Sequence, residues 1–144
     1  MELIDSMKKV LANNFVLYLK AHGFHWNVEG SDFAQYHEFF GNFYEEVYGV
    51  VDSIAEHIRA LDSYAPSTLQ RYIELSDIKG EDRVLQAKQM LQQLLIDNST
   101  MISSLTDAYY AAEEAKELGL ANFLQDRIDQ HKKHGWMLKA FSKE

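Results

Sequence analysis

The feature that most constrains this chain is apolar spacing of the helical kind, repeated over long stretches with few interruptions. Apolar residues recur every three or four positions in four stretches, and seven glycines with a single proline leave few places where a helix must end. The first two stretches run over 4–25 and 33–61. The third starts at Val84 with an end expected near Gly119, and the fourth runs over 124–141. The pattern predicts an all-α fold.

The connections between these stretches predict how the helices are arranged. Short turns before the second stretch and near Gly119 each join antiparallel neighbours. The stretch from Asp62 to Gly80 is much longer, and it contains Pro66 and a predicted short helix over 69–74. It can run the length of a bundle and start the third helix at the far end. One long crossover between the second and third helices indicates a ferritin-like four-helix bundle, which we expect to form a single domain over residues 1–144.

Charge and composition exclude several classes of function. The chain has 22 acidic and 14 basic side chains and a formal net charge of −8, which opposes non-specific binding to DNA. The short basic clusters Lys8–Lys9 and Lys132–Lys133 are typical of solvated helix faces. No apolar run approaches the ~18 residues of a membrane span, and the N-terminal segment lacks the apolar region of a signal peptide. Without cysteine there is neither a disulfide nor a thiolate ligand, so we expect a cytoplasmic protein with no membrane partner.

Four side chains that bind metals mark one region: His25, His37, Asp52 and Glu56. Two imidazoles with two carboxylates suit Fe(II), Zn(II) or Mn(II) better than Ca(II) or Mg(II). On one continuous helix, His37 and Asp52 would lie nearly on one face but about 22 Å apart, which no single metal ion can span. A second, antiparallel copy related by a two-fold axis would bring Asp52 and Glu56 beside the first copy's His37, with His25 next to it. The spacing therefore predicts a metal site shared by two chains.

These residues resemble the ferroxidase motif of the Dps miniferritins, the DNA-binding proteins from starved cells. That motif has a second histidine twelve residues after the first, then Asp and Glu fifteen and nineteen residues later. All four side chains satisfy these intervals. The family's HW dipeptide is His25–Trp26, its V-x-G is found at 28–30, and its WML-x-A signature is found at 136–140. The resemblance therefore covers essentially the whole chain.

The resemblance implies a hollow dodecamer built from two-fold dimers. Such proteins oxidise Fe(II) with hydrogen peroxide or dioxygen, store ferric mineral and so protect against oxidative damage. The four ligating side chains would be both the catalytic and the metal-binding residues. Members often carry Asp four residues after the second histidine, and Gly41 there implies a weaker second iron position. DNA-binding members usually have a Lys-rich extension, but helical periodicity here starts at Ile4, so we expect DNA binding to be weak at most.

Other functions use the same features. A nucleoid-associated protein that protects DNA with little ferroxidase activity would need a basic surface. A zinc-binding structural cage would use the same four ligands, and zinc is in any case a possible competitor for iron. An intrasubunit di-iron centre needs Glu-x-x-His pairs, and no histidine in the sequence has Glu three residues before it. Arg59 is a rival ion-pair partner for Asp52 and Glu56.

Neighbouring aromatic and imidazole side chains have more than one interpretation. Trp26 either takes up an oxidising equivalent or packs at the subunit interface, and the two interpretations weigh equally. Tyr44 and Tyr48 are expected mainly to pack. The pairs His22/His25 and His131/His134 have i,i+3 spacing, but neither has an obvious carboxylate neighbour, so each is expected to bind metal only adventitiously.

Overall fold

Helices account for most of the chain in the computed structural model, which describes residues 2–143. They are α1 (Leu3–Asn27), α2 (Phe33–Tyr48), α3 (Val51–Ala60), α4 (Leu69–Leu75), α5 (Ala87–Glu114) and α6 (Leu118–Ser142). No strand occurs in that described part, so the predicted all-α class is confirmed. Within the same residues no helix is long and apolar enough to cross a membrane.

Helix α1 is at the centre of the packing. It contacts α2, α3, α4 and α5, while α6 pairs with α5. Met7 and Leu11 on α1 have no exposed surface, and neither do Phe40 on α2 and Met101 on α5. Each such side chain contributes roughly 1.5–3 kcal/mol when it is removed from water. Packing on this scale holds α1 and α2 side by side, together with the histidines near their connecting turn.

The second predicted helix proved to be two helices. Instead of one helix over 33–61, α2 ends before Gly49 and α3 begins after Val50. Val50 has φ −105° and ψ 0°, in the bridge region rather than the helical one. Backbone bonding of α-helical type continues on both sides of this break. Asp52 and Glu56 therefore lie on α3, whereas His37 lies on α2.

The ends of α5 also differ from the prediction. The helix begins at Ala87 rather than Val84, because Gln86 and Gln89 form a reciprocal capping box at its start. It ends before Lys116, whose φ of 61° is the left-handed conformation that glycine usually supplies after a helix. Gly119, the expected end, lies instead in the first turn of α6.

The predicted short helix of the crossover is confirmed as α4. Its first turn is capped by Thr68, whose hydroxyl accepts a hydrogen bond from the Arg71 N–H at 3.2 Å. The crossover is fastened to α1 by buried Asn13, whose Oδ1 accepts from Ser76 Oγ at 3.0 Å and from the Asp77 N–H at 2.8 Å. The chain thus runs along α1 before α5 begins, as in a ferritin-like bundle.

A polar cluster lies in the interior between α2, α5 and α6. Arg127 donates to both carboxylate oxygens of Glu46, at 2.6 and 2.9 Å, and His134 Nε2 bonds to the same carboxylate at 2.8 Å. Arg127 also donates to His131 Nε2 at 3.0 Å. The proton of neutral His131 therefore lies on Nδ1, which donates to Asn98 Oδ1 at 2.8 Å. With these nitrogens occupied, the pair His131/His134 is not available as a metal site.

The protonation of this cluster depends on the folded state. Burial lowers the pKa of His131 well below its ordinary 6.5, and Arg127 and His134 act in the same direction. Burial alone would raise the pKa of Glu46, but hydrogen bonds from His134 and Arg127 outweigh it and lower that pKa from 4.5 to about 2. In the unfolded chain both groups take up protons at higher pH. As pH falls, the unfolded chain therefore gains each proton before the folded chain does, first at His131 and then at Glu46. The free energy of unfolding decreases over both ranges of pH.

We expect the free energy of unfolding to decrease as pH falls below 6.5, because unfolded His131 binds a proton that the folded chain excludes. The slope from one proton is at most about 1.4 kcal/mol per pH unit. Urea unfolding at fixed protein concentration across this range measures it. His131→Gln should flatten the slope, with His57→Gln on α3 as the control for losing a histidine. Equal slopes in wild type and His131→Gln would contradict this assignment.

Candidate metal centre

His25 and His37 face each other where α1 and α2 pack together. Their rings are stacked, with centroids 3.7 Å apart and planes at 17°. His25 Nδ1 lies 2.6 Å from the His37 carbonyl oxygen, and His37 Nδ1 lies 2.7 Å from the His25 carbonyl oxygen. We refer to these reciprocal hydrogen bonds as the histidine clasp. Because a carbonyl can only accept, each Nδ1 carries a proton, and each neutral ring keeps a lone pair on Nε2.

The clasp gives both imidazoles an arrangement that suits metal ligands. A ligating histidine commonly donates its other ring N–H to a backbone carbonyl, which fixes the tautomer and the orientation of the ring. Here each histidine receives that support from the backbone of the other. Both rings are half-buried, so they are partly shielded from water. The spacing in the sequence suggested that the two histidines lie together, but it gave no sign of the backbone bonds.

Gly41 provides the space for the clasp. It is buried on α2, one turn after His37. A Cβ added to Gly41 would lie 3.1 Å from both Cε1 and Nδ1 of His25, closer than most side-chain contacts allow. In the sequence, Gly41 was singled out as the position of a missing carboxylate. The structure shows in addition that a side chain at this position would compete with the His25 ring.

The two carboxylates are not brought to the histidines within one chain. Asp52 and Glu56 are exposed on α3. Among the residues that the structure describes, no three His, Asp or Glu side chains form a group that could hold a metal ion. Arg59, their possible rival partner, donates to the Ser63 carbonyl at 2.8 Å and lies 4.6 Å above the Tyr64 ring. In the single chain both carboxylates therefore face solvent.

Aromatic side chains surround His22, one turn before the clasp on α1. The Tyr18 hydroxyl lies 3.0 Å from His22 Nδ1. The His22 ring stacks on Tyr44, with centroids 3.8 Å apart and planes at 9°, and lies 4.0 Å from the ring of Trp26. Tyr44 in turn lies 5.3 Å from the His25 ring. These contacts form a continuous aromatic cluster beside one of the two histidines of the clasp.

The protonation states within this cluster define its hydrogen bond. Burial lowers the pKa of His22 below its ordinary 6.5, and the neighbouring His25 adds to this effect. Burial raises the pKa of the Tyr18 phenol, and the nearby Tyr48 and Tyr44 act in the same direction. Near neutral pH the phenol is therefore protonated and the imidazole neutral, so the Tyr18 hydroxyl donates to His22 Nδ1. The helical spacing of Tyr18 and His22 was the only signal in the sequence that could have indicated this pair.

Comparison with known proteins defines the family. The model of the ferritin-like domain family matches residues 4–144. The DNA protection during starvation protein of Brevibacillus brevis is 33% identical over 94% of this chain and 91% of its own length. The crystal structure of a Dps protein from Bacillus brevis has a TM-score of 0.93 at 32% identity, covering 98% of this chain and 95% of that one. A Dps protein from Vibrio cholerae O1, described as a member of a superfamily of ferritin-like diiron-carboxylate proteins, has a TM-score of 0.94 at 27% identity, covering 98% and 89%.

The fold and these matches define a helical-bundle protein of the ferritin-like class. Within that class the chain belongs to the Dps family, as the sequence motifs predicted. This membership supports a role as an iron-storage miniferritin.

We expect Gly41→Ala to weaken metal binding about tenfold or more, because the added methyl group forces the His25 ring to shift and so distorts the clasp. Titration calorimetry of the assembled protein with Zn(II) measures the affinity without any redox reaction. Gly23→Ala is the matched control, since a Cβ at Gly23 on α1 meets nothing within 4 Å. Equal affinities of the two variants would show that the clasp does not support a metal.

Proposed function

We propose that this protein is a cytoplasmic ferroxidase that oxidises Fe(II) with hydrogen peroxide and stores the ferric product as mineral inside a hollow dodecamer. Removal of both reactants protects against oxidative damage. The observation that carries the proposal is the histidine clasp, which fixes His25 and His37 with two Nε2 lone pairs available. The Dps family membership supports iron as the metal.

The proposed centre is shared by two copies of the chain. His25 and His37 come from one copy, and Asp52 and Glu56 come from the other. The separation of the histidines from the exposed carboxylates within one chain supports this arrangement. In a two-fold dimer every contact occurs twice, so each dimer would have two equivalent sites.

Exposed aromatic side chains support an interface on this face of the chain. Trp26, Phe33 and Tyr48 are 59%, 42% and 54% exposed. Phe33 stacks on His37 at 4.9 Å, and Tyr48 lies 4.6 Å from Tyr18, so these exposed rings adjoin the clasp and the aromatic cluster. Clustered apolar surface of this kind marks contacts between proteins. A second copy covering it would also exclude water from the metal.

The donor set suits iron oxidation. Imidazole nitrogens and carboxylate oxygens bind Fe(II), and two negative carboxylates favour the higher charge of Fe(III). Zn(II) accepts the same ligands, so it would compete at the site without undergoing oxidation. The alternative function is therefore a zinc-binding cage. A measurement of iron oxidation distinguishes it from a ferroxidase.

Binding to DNA is proposed to be weak at most. The net charge of −8 opposes it. Lys9, in one of the two short basic clusters, is paired with Asp77 at 3.1 Å. A gel shift that weakens with added salt would reveal any binding that the charge balance does not predict.

We expect Asp52→Asn/Glu56→Gln to slow iron oxidation by well over tenfold, because both anionic ligands are lost. Anaerobic loading with Fe(II), followed by hydrogen peroxide, gives the rate from ferric absorbance. Asp107→Asn/Glu114→Gln, which neutralises two exposed carboxylates on α5, is the charge-matched control. Equally slow oxidation with precipitation in all three proteins would overturn the proposed ferroxidase activity. It would favour zinc binding or DNA binding as the function.

A complementation experiment tests whether the site is shared. Assemblies of His25→Ala/His37→Ala chains alone, or of Asp52→Asn/Glu56→Gln chains alone, should be inactive. When both chains are co-expressed in equal amounts, random pairing makes half of the dimers mixed, each with one intact site, so about one quarter of the wild-type activity should return. If all four ligands came from one chain, no mixed assembly would contain an intact site and activity would stay absent.

A further inference from the structure

We infer that Asn14 is a positioning residue for the shared centre. Its buried side chain fixes the break between α2 and α3 at Gly49–Val50, which we call the α2–α3 break. In this way it sets where Asp52 and Glu56 meet the histidines of a second copy. This inference rests on the proposed ferroxidase function and adds a residue that is not itself a ligand.

The side chain of Asn14 joins α1 to the last turn of α2. Asn14 has no exposed surface, and its Nδ2 donates to the Val47 carbonyl at 3.0 Å. In the described part of the chain this is the one hydrogen bond of the side chain, since Asn14 Oδ1 has no partner there. Carbonyls in the last turn of a helix have no partner within that helix, so they are open to a donor from elsewhere. Asn14 therefore stabilises the place where α2 ends.

A second polar contact holds the same turn of α2. The Glu46 carboxylate is bonded to Arg127 and His134 on α6. The backbone of Val47 is thus held by α1, while the side chain that precedes it is held by α6. With the end of α2 fixed by two helices, the direction in which α3 leaves it depends on the α2–α3 break.

The backbone at the α2–α3 break has little freedom to change without moving α3. Gly49 is exposed, but a Cβ added to it would lie 3.2 Å from the Glu45 carbonyl oxygen, so even a methyl group would force a small shift. Val50 has ψ 0° instead of the helical value of about −42°, which turns the chain before α3 begins. A change at this segment, or at the Asn14 bond that precedes it, should therefore alter the direction of α3.

The two carboxylates lie just beyond the α2–α3 break. Ile54 and Ile58 are fully buried and attach α3 to the core. Asp52 and Glu56 are exposed on the same helix, which has only 10 residues. Because α3 is short, a change in its direction moves both carboxylates together. Their position relative to a second copy therefore depends on the break.

The two histidines depend much less on Asn14. At the helical rise, His37 lies about 15 Å before Val47 along the chain, whereas Asp52 lies only about 7.5 Å after it. The clasp also holds His37 to α1 independently of Asn14. Loss of the Asn14 bond should therefore displace the carboxylates of the same chain and leave its histidines in place.

Mixed assemblies test this difference between the two halves of the centre. The His25→Ala/His37→Ala chain serves as the carboxylate donor. The Asp52→Asn/Glu56→Gln chain serves as the histidine donor. Asn14→Leu, which keeps a side chain of similar size and removes the hydrogen-bond donor, is added to one of these chains or to the other. Both mixtures contain the same number of Asn14→Leu chains, so each is the matched control for the other.

Oxidation of Fe(II) by hydrogen peroxide should slow about tenfold when Asn14→Leu is on the carboxylate donor, compared with the mixture without it, because the ligands are misplaced. The rate should stay within about twofold when Asn14→Leu is on the histidine donor, whose α3 supplies nothing to the intact site. A general loss of stability would slow both mixtures alike. Gly49→Ala, an exposed change at the same break, should show the same asymmetry.

The outcomes separate this inference from the proposed function. Equal slowing of the two mixtures by Asn14→Leu, or none in either, would overturn the role of Asn14 and leave the ferroxidase standing. An equal effect of Gly49→Ala in both would overturn the claim that the break places the carboxylates. If wild type is active but the mixture without Asn14→Leu is not, the shared centre falls, and this inference with it. Absence of oxidation in wild type would overturn the proposed function.

Circular dichroism and size-exclusion elution establish that each variant folds and assembles. Asn14→Ala removes the same hydrogen-bond donor without adding apolar bulk. It takes the place of Asn14→Leu if the leucine prevents assembly, and the same asymmetry between the two mixtures is then expected.

Discussion

The packing of α2 against α1 determines the geometry of the candidate metal centre. It brings two imidazoles, twelve residues apart in the chain, within hydrogen-bond distance of each other's backbone carbonyls. Each ring is held by the opposite helix, so neither helix could orient its histidine alone. The buried rings of Phe24 and Phe40 lie between the same two helices, with centroids 6.1 Å apart. The ligand geometry therefore depends directly on the hydrophobic core.

The interior of the bundle differs in its chemistry from the region around His25 and His37. Ferritin-like di-iron proteins hold their metals in the bundle core with Glu and Glu-x-x-His side chains. Here the interior between α2, α5 and α6 contains Arg127, whose guanidinium is bonded to Glu46 and His131. A cation would be repelled by that charge and would find the His131 lone pair already occupied. The interior cluster therefore joins helices, and the surface histidines are the groups available for a metal.

One chain presents only half of the proposed centre. The nitrogen donors are fixed and partly shielded, whereas Asp52 and Glu56 are exposed, and aromatic side chains around the clasp remain open to solvent. Covering that surface with a second copy would bury apolar area and supply the missing anionic ligands together. Metal binding and assembly would then favour the same arrangement.

The sequence alone determined the helical class, the long crossover with its short helix and the family, and it singled out the four candidate ligands. These follow from apolar periodicity and residue spacing, which are local properties of the chain. Only the tertiary structure decided the break at Gly49–Val50, the left-handed Lys116, the histidine clasp and the fit of His25 over Gly41. The first two depend on small differences in backbone energy that composition does not reveal. The last two depend on contacts between residues on different helices, and these exist only after the helices have packed.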